Sequence, residues 1–275
     1  MRGLRIMKKY NIGFIGCGKM ASAIIKGITN SKFLNPDNII ATKSSTENLE
    51  QISTELKIKI ILDNIEAVKS SDVIFVAVKP AQVIPVLEQI KCLDLSGKTF
   101  VSLAAGIKLE ELETVLPQVG FIRVMPNTPV LVNEGMTGIC VGKYVDSDVL
   151  DYVQSLFSSI GKSVVIEEDK MDILTAISGS GPAFFYKIIN DIARAGESLG
   201  LDYEKALLLS IQTAIGSAKM AINRKTTMEN LISNVATKGG CTRVGVDIME
   251  EVDTAKIFAE VVSKTSQKAS ELGKS

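Results

Sequence analysis

From residue 10 to residue 167, short apolar runs rich in Val, Ile and Phe recur along the chain, separated by stretches with helical spacing. This alternation restricts the fold more than any other feature. A run such as Val73-Ile74-Phe75-Val76-Ala77-Val78 offers no polar residue to either face, so a strand made from it must be covered on both sides. Strands are expected at 10–15, 38–42, 58–62, 72–78, 99–104, 120–125, 137–141 and 163–167. Helical spacing fits 20–29, 46–56, 80–90, 109–116 and 147–160. Doubly covered strands spaced by helices specify an α/β domain built on a mostly parallel sheet.

Residues 168–275 read differently. Apolar residues recur at three- and four-residue spacing over 184–199, 203–222, 228–236, 243–251 and 254–272, with no strand pattern. The expectation is a second, all-α domain. Leu207, Leu208, Leu209, Ile211, Ala214, Ile215 and Ala218 make one helix apolar around much of its circumference, so burial on several sides is expected. Such a helix in a small domain points to a partner subunit, and hence to a homodimer or larger homo-oligomer. Residues 1–9 are set apart as a leader or tag, with Met7 as an alternative start.

Thirty-one basic residues balance thirty-one acidic ones, which argues against nucleic acid or an anionic membrane as partner. Histidine is absent, and the four cysteines form no paired motif, so neither a metal site nor an imidazole base is expected. Unpaired cysteines also favour a reducing, cytoplasmic setting. No apolar run approaches the ~20 residues that span a bilayer.

The strongest local signal is Gly13-Phe14-Ile15-Gly16-Cys17-Gly18-Lys19-Met20-Ala21, which ends the first strand and opens the first helix. It has the G-x-G-x-x-A form of a dinucleotide fingerprint. Gly16 permits the tight turn, Gly18 lets backbone approach a pyrophosphate, and Ala21 keeps helix and sheet close. The helix mouth then offers free N–H groups to the anion. An ordinary strand-to-helix turn is the plainer alternative. At the end of the second strand, Thr42-Lys43-Ser44-Ser45 carries no acid for a ribose diol and one cation for a 2′-phosphate. That favours NADPH, with NADH still open. Ser44 and Glu47 have the spacing of a capping box, which is the plainer reading of that loop.

Five further segments complete the pattern: Ala77-Val78-Lys79-Pro80, Ala104-Ala105-Gly106, Arg123-Val124-Met125-Pro126-Asn127-Thr128-Pro129, Ser178-Gly179-Ser180-Gly181-Pro182-Ala183 and Gly239-Gly240-Cys241-Thr242. In this order, from Asn11 to about Leu272, they resemble the pyrroline-5-carboxylate reductase family. The resemblance implies a Rossmann-type domain, a helical domain that dimerises, and reduction of a small cyclic imino acid to L-proline by NADPH. It implies that Ile15, Gly16, Cys17, Gly18, Lys19 and Met20 line the pyrophosphate. Thr42, Lys43, Ser44, Asn64, Val78, Lys79, Pro80, Ala105 and Asn127 would border the rest of the cofactor. Glu168, Asn234, Gly239, Gly240, Cys241 and Thr242 would approach the imino acid, with Thr242 as the catalytic candidate at its nitrogen.

One departure stands out: Lys238 occupies the place of the proline common in the family's Ser-Pro-Gly-Gly turn. Two other readings remain open from the residues. Lys187 is a lysine where a β-hydroxyacid reductase would want a base, and a nucleotide sensor would bind NADPH without turnover.

Overall fold

The computed structural model describes residues 9–272. Apart from Lys9, the expected leader at residues 1–9 lies outside them. Residues 9–180 together with 265–272 form one compact unit, and residues 181–264 form a second.

The first unit holds an eight-stranded sheet: β1 (Ile12–Ile15), β2 (Ile39–Thr42), β3 (Lys59–Ile61), β4 (Val73–Val76), β5 (Thr99–Ser102), β6 (Gly120–Met125), β7 (Gly135–Val141) and β8 (Gly161–Val165). The spatial order is β3-β2-β1-β4-β5-β6-β7-β8. Only the β6–β7 pair is antiparallel. All eight expected strands form, with ends shifted by up to two residues. The chain order reverses between β1 and β4, the switch point at which open α/β sheets bind ligands.

Neighbouring residues of β4 show why its sequence does not alternate. Val73 and Phe75 belong to the core on one side of the sheet, and Ile74 and Val76 to the core on the other. Phe14 stacks on Phe75 at 4.6 Å in the first core, while Phe100 and Phe121 meet at 5.6 Å in the second. The covering helices are α1 (Lys19–Asn30), α2 (Leu49–Leu56), α3 (Asn64–Lys69), α4 (Pro80–Ile90), α5 (Leu109–Val115) and α6 (Ser147–Ser158).

Two local expectations change. Helix α2 starts at Leu49 rather than at residue 46, because Asn48 takes a left-handed conformation with φ 54°. The Ser44–Glu47 capping box therefore does not form; instead Lys43 Nζ donates to the Glu47 carbonyl at 2.8 Å. Helix α3 was not expected. Its six residues are too few to show a period, yet Asp63 accepts from the N–H groups of Ile65 and Glu66 and starts it.

The second unit contains α8 (Gly181–Ser198), α9 (Tyr203–Ile222), α10 (Met228–Val235), α11 (Cys241–Glu251) and the first part of α12 (Thr254–Leu272), after α7 (Met171–Leu174) in the first unit. Helix α8 lies on α9: Tyr203 donates to Asn190 at 3.0 Å, and Arg194 sits 4.2 Å over the Tyr203 ring. The expected burial of α9 on several sides is not met within one chain. Leu208 and Leu209 are 66% and 60% exposed, and only Ala206 and Ser210 of that helix are buried. No described helix is long and apolar enough to cross a membrane.

Where β6 turns antiparallel to β7, a buried charge needs a partner. Arg123, 4% exposed, donates to Glu168 Oε1 at 2.6 Å. The same oxygen accepts the Leu109 N–H at 2.7 Å, where a carboxylate suits the positive mouth of α5. Burial, helped by the Glu168 charge, pushes the adjacent Cys140 thiol up to about 11, so it stays neutral. Glu168→Ala would strand the guanidinium in the core. Expected is a loss of about 3 kcal/mol, the low end for a buried pair because Glu168 is itself part-exposed. Urea unfolding monitored by circular dichroism measures it.

Candidate functional site

The end of β1 and the start of α1 build the cradle that the glycine pattern predicts. Gly16 has φ +92°, and a Cβ there would lie 2.9 Å from Val78 Cγ1 and 3.0 Å from the Ala77 carbonyl. Any side chain would push β1 off β4. Gly18 is the opposite case: a Cβ would meet nothing within 4 Å, so the space in front of the helix mouth is open. Gly18 is the N-cap of α1, which leaves the N–H groups of Lys19, Met20 and Ala21 without intrahelical acceptors. Ala21 is buried against the sheet. An open backbone face with outward N–H groups fits a pyrophosphate.

Cys17 lies inside this turn, buried, with its Sγ 3.7 Å from Ser22 Oγ. Burial pushes its thiol up, and the Ser22 contact and the Lys43 charge pull it only partly back. A protonated thiol is a packing group here, not a nucleophile.

Thr42, 2% exposed, sits at the end of β2 where an NAD enzyme would place an acid. Its hydroxyl accepts the Gly16 N–H at 3.1 Å and donates to Asn64 Oδ1 at 2.7 Å. Asn64 then donates to Gln89 Oε1 at 3.0 Å. This chain of bonds pins the glycine turn to β2, α3 and α4. Thr42 is thereby a strut of the cradle, and Lys43 and Ser44 remain at its rim.

A cavity of about 430 Å³ opens at this carboxyl edge. Ile15, Gly16, Cys17 and Gly18 line one side of it, and Thr42, Lys43 and Ser44 another. Asn64, Val78 and Lys79 also line it, whereas the expected Lys19, Met20, Pro80, Ala105 and Asn127 do not. Pro80 follows Lys79 as the first residue of α4. The sequence reading missed Leu62, Ala77, Gln82 and Val86, which also face the cavity. Gln82, Val86 and Gln89 are spaced by four and three residues on α4, the one-face spacing that could have drawn attention to them. A larger cavity of about 770 Å³ lies at the other end of the sheet, by Thr99 and Gly120, the first residues of β5 and β6. It holds none of the expected residues. The carboxyl-edge cavity is the candidate site.

Ala105 follows β5 in a half-buried loop. Asn127 and Glu168 are both engaged inside the first unit. Asn127 accepts the Met136 N–H and donates to the Ser178 carbonyl. Glu168 holds Arg123 and the Leu109 N–H through one oxygen. Sequence reasoning had no means of seeing these partners, which lie 45 to 59 residues from Glu168 along the chain.

In the second unit, Thr237-Lys238-Gly239-Gly240 forms a four-residue turn. Gly240 N–H donates to the Thr237 carbonyl at 3.0 Å, and Gly239 has φ +77°. Left-handed backbone at the third position alone is the type II form, which favours proline at the second. Lys238 occupies that second position without a positive φ, so the turn closes without the family's proline. Gly240, not Thr242, is the N-cap of α11; Cys241 and Thr242 are its exposed first residues. Asn234, also exposed, lies in the last turn of α10. Lys187 is committed to Asp191 one helical turn on, at 2.6 Å.

Restoring the proline should stiffen only the unfolded chain. Lys238→Pro is expected to raise stability by about 0.4–1 kcal/mol. Thermal unfolding checks this.

Comparison with known proteins follows the same division of the chain. Residues 11–106 match the family model described as NADP oxidoreductase coenzyme F420-dependent, and residues 168–272 the one described as pyrroline-5-carboxylate reductase dimerisation. A pyrroline-5-carboxylate reductase of Methanosarcina acetivorans is 35% identical over 269 residues, covering 98% of this chain and all of its own. Pyrroline-5-carboxylate reductase 1 of Bacillus subtilis is 31% identical over 271 residues, covering 98% of this chain and 91% of the relative. Among solved structures, a pyrroline-5-carboxylate reductase from Coxiella burnetii superposes with a TM-score of 0.91 at 31% identity, covering 98% of this chain and 100% of that one. The Plasmodium falciparum pyrroline carboxylate reductase, solved with NADP bound, gives 0.87 at 33% identity, covering 97% and 99%. With likeness at this level running through both units, the chain belongs to the pyrroline-5-carboxylate reductase family.

Proposed function

We propose that this protein reduces 1-pyrroline-5-carboxylate to L-proline with NADPH, as the catalytic unit of a cytoplasmic homodimer or larger homo-oligomer. The observation that carries the reading is the cradle at the β1–β4 switch point, with open space before Gly18 and no acid at the end of β2. Lys43 and Ser44 at its rim are the groups proposed to take the 2′-phosphate. The exposed apolar residues Leu208 and Leu209 support coverage by a second copy in a chain that matches a dimerisation family.

Bound NADPH supplies the hydride. The residues of the chain have to place the imine carbon and manage charge. In the proposed step a C–H bond forms at that carbon, the C=N π pair moves onto nitrogen, and the nitrogen keeps the proton with which the iminium arrives. No strong protein acid is needed, which suits a chain without histidine. The N–H groups of Cys241 and Thr242, free at the mouth of α11, are proposed to receive the substrate carboxylate. The Thr242 hydroxyl is proposed to hold the ring nitrogen, with Asn234, Gly239 and Gly240 shaping the rest. Lys187, the base that the hydroxyacid alternative would need, is exposed and pairs with Asp191.

Steady-state assays with pyrroline-5-carboxylate and each cofactor, followed by NADPH absorbance, test the proposal. Turnover confined to hydroxyacids, or NADPH binding without oxidation, would sink it. Lys43→Ala is expected to raise KM for NADPH about tenfold and leave KM for NADH unchanged, the loss of one charge-assisted contact. An unchanged NADPH value removes Lys43 from the phosphate site. Thr242→Ala is expected to lower kcat/KM for the imino acid about ten- to a hundredfold. Wild-type kinetics in that variant would take Thr242 out of the mechanism.

A further inference from the structure

Pro182 stands four residues after Ser178. In an α-helix the Ser178 carbonyl would receive the N–H of residue 182, and proline has none. That carbonyl is occupied from elsewhere: Asn127 Nδ2 donates to it at 3.0 Å. The other end of the same amide, Oδ1, accepts the Met136 N–H at 2.8 Å. Asn127 is only 8% exposed, so both bonds are made away from water and neither is easily replaced.

Around this carbonyl the backbone leaves the α register. Thr175–Gly179 is π-helical, closed by the Ser180 N–H on the Thr175 carbonyl at 2.9 Å. Single π turns gather at functional sites. This one lies against the carboxyl end of β6, since a Cβ on Gly179 would come within 3.9 Å of Met125 Cγ, the last residue of that strand. The carboxyl edge of an open α/β sheet is where its ligands bind. Two motifs far apart in sequence, Met125-Pro126-Asn127 and Ser178-Gly179-Ser180-Gly181-Pro182, thus meet through one side-chain amide.

We propose that Asn127 is a positioning residue for imine reduction. By supplying the donor that Pro182 lacks, it holds the Thr175–Gly179 turn in its π register and presents the Ser178–Ser180 backbone to the site at the sheet edge. The proposal rests on the reductase reading given above, and it assigns Asn127 an indirect role in place of the direct cofactor contact implied by the family resemblance.

The test uses the full chain with Asn127→Ala, Asn127→Asp, Pro182→Ala and the Asn127→Ala/Pro182→Ala double variant. Asn127→Ala is expected to lower kcat for pyrroline-5-carboxylate about tenfold or more, with KM for NADPH within about twofold of wild type. Asn127→Asp should be worse, because a carboxylate cannot donate and faces a carbonyl oxygen. In thermal unfolding, the drop in Tm caused by Asn127→Ala should shrink once residue 182 can donate, so the two substitutions are non-additive. A raised KM for NADPH with unchanged kcat would make Asn127 a direct cofactor contact and overturn the proposal. A lowered Tm with unchanged kcat per folded molecule would reduce it to a structural bond, and additive Tm shifts would refute the donor replacement. The coupling between residues 127 and 182 needs no substrate. If wild-type protein fails to reduce pyrroline-5-carboxylate while that coupling holds, the reductase reading and the catalytic half of this proposal fall together, and the donor replacement stands.

Discussion

Covering both faces of the sheet leaves only its ends for chemistry. Val73 and Phe75 go to one core and Ile74 and Val76 to the other, so a central strand such as β4 has no free face on which to carry a polar group. Polar function is pushed to the loops at the strand ends, and the reversal of order between β1 and β4 opens a gap at one of them. Everything in the candidate site follows from that gap. Gly16 must be bare because the chain leaving β4 is close, while the space before Gly18 is open.

Several polar groups that enter the interior of the first unit are paired across distant segments, while Arg123 Nε and the Tyr152 hydroxyl have no hydrogen-bond partner among the described residues. The Thr42 hydroxyl links the Gly16 N–H to Asn64 and on to Gln89, so the cradle is held by side chains from three surrounding elements. Arg123 has Glu168, which also receives the first N–H of α5. Asn127 spans Met136 and Ser178. Each bond joins segments 9 to 59 residues apart, and several tie loops and helix mouths to the strands beside them. Such buried pairs are costly if half-made, so they select one arrangement of those loops over others.

The two units meet the same physical demand by different means. In the first, a core on each side of the sheet takes up the apolar residues. In the second, one chain leaves Leu208 and Leu209 largely uncovered. A helix apolar around much of its circumference and covered on one side by its own chain is incomplete by itself, and the match of residues 168–272 to a dimerisation family accords with that.

The amino-acid sequence alone determined the class of fold, the eight strands, the glycine cradle and the acid-free end of β2. These depend on periodicity and on steric needs of single residues, both local properties that a linear reading captures. It did not show α3, too short to display a period, nor the late start of α2, which the left-handed Asn48 decides. It also could not show what Glu168, Asn127 and Thr42 hold, or that Gln82 and Val86 face the cavity. Those facts rest on which distant segments become neighbours when the sheet closes. Tertiary structure alone decides them, because a hydrogen-bond donor is indifferent to sequence distance and answers only to the acceptor the fold brings within 3 Å.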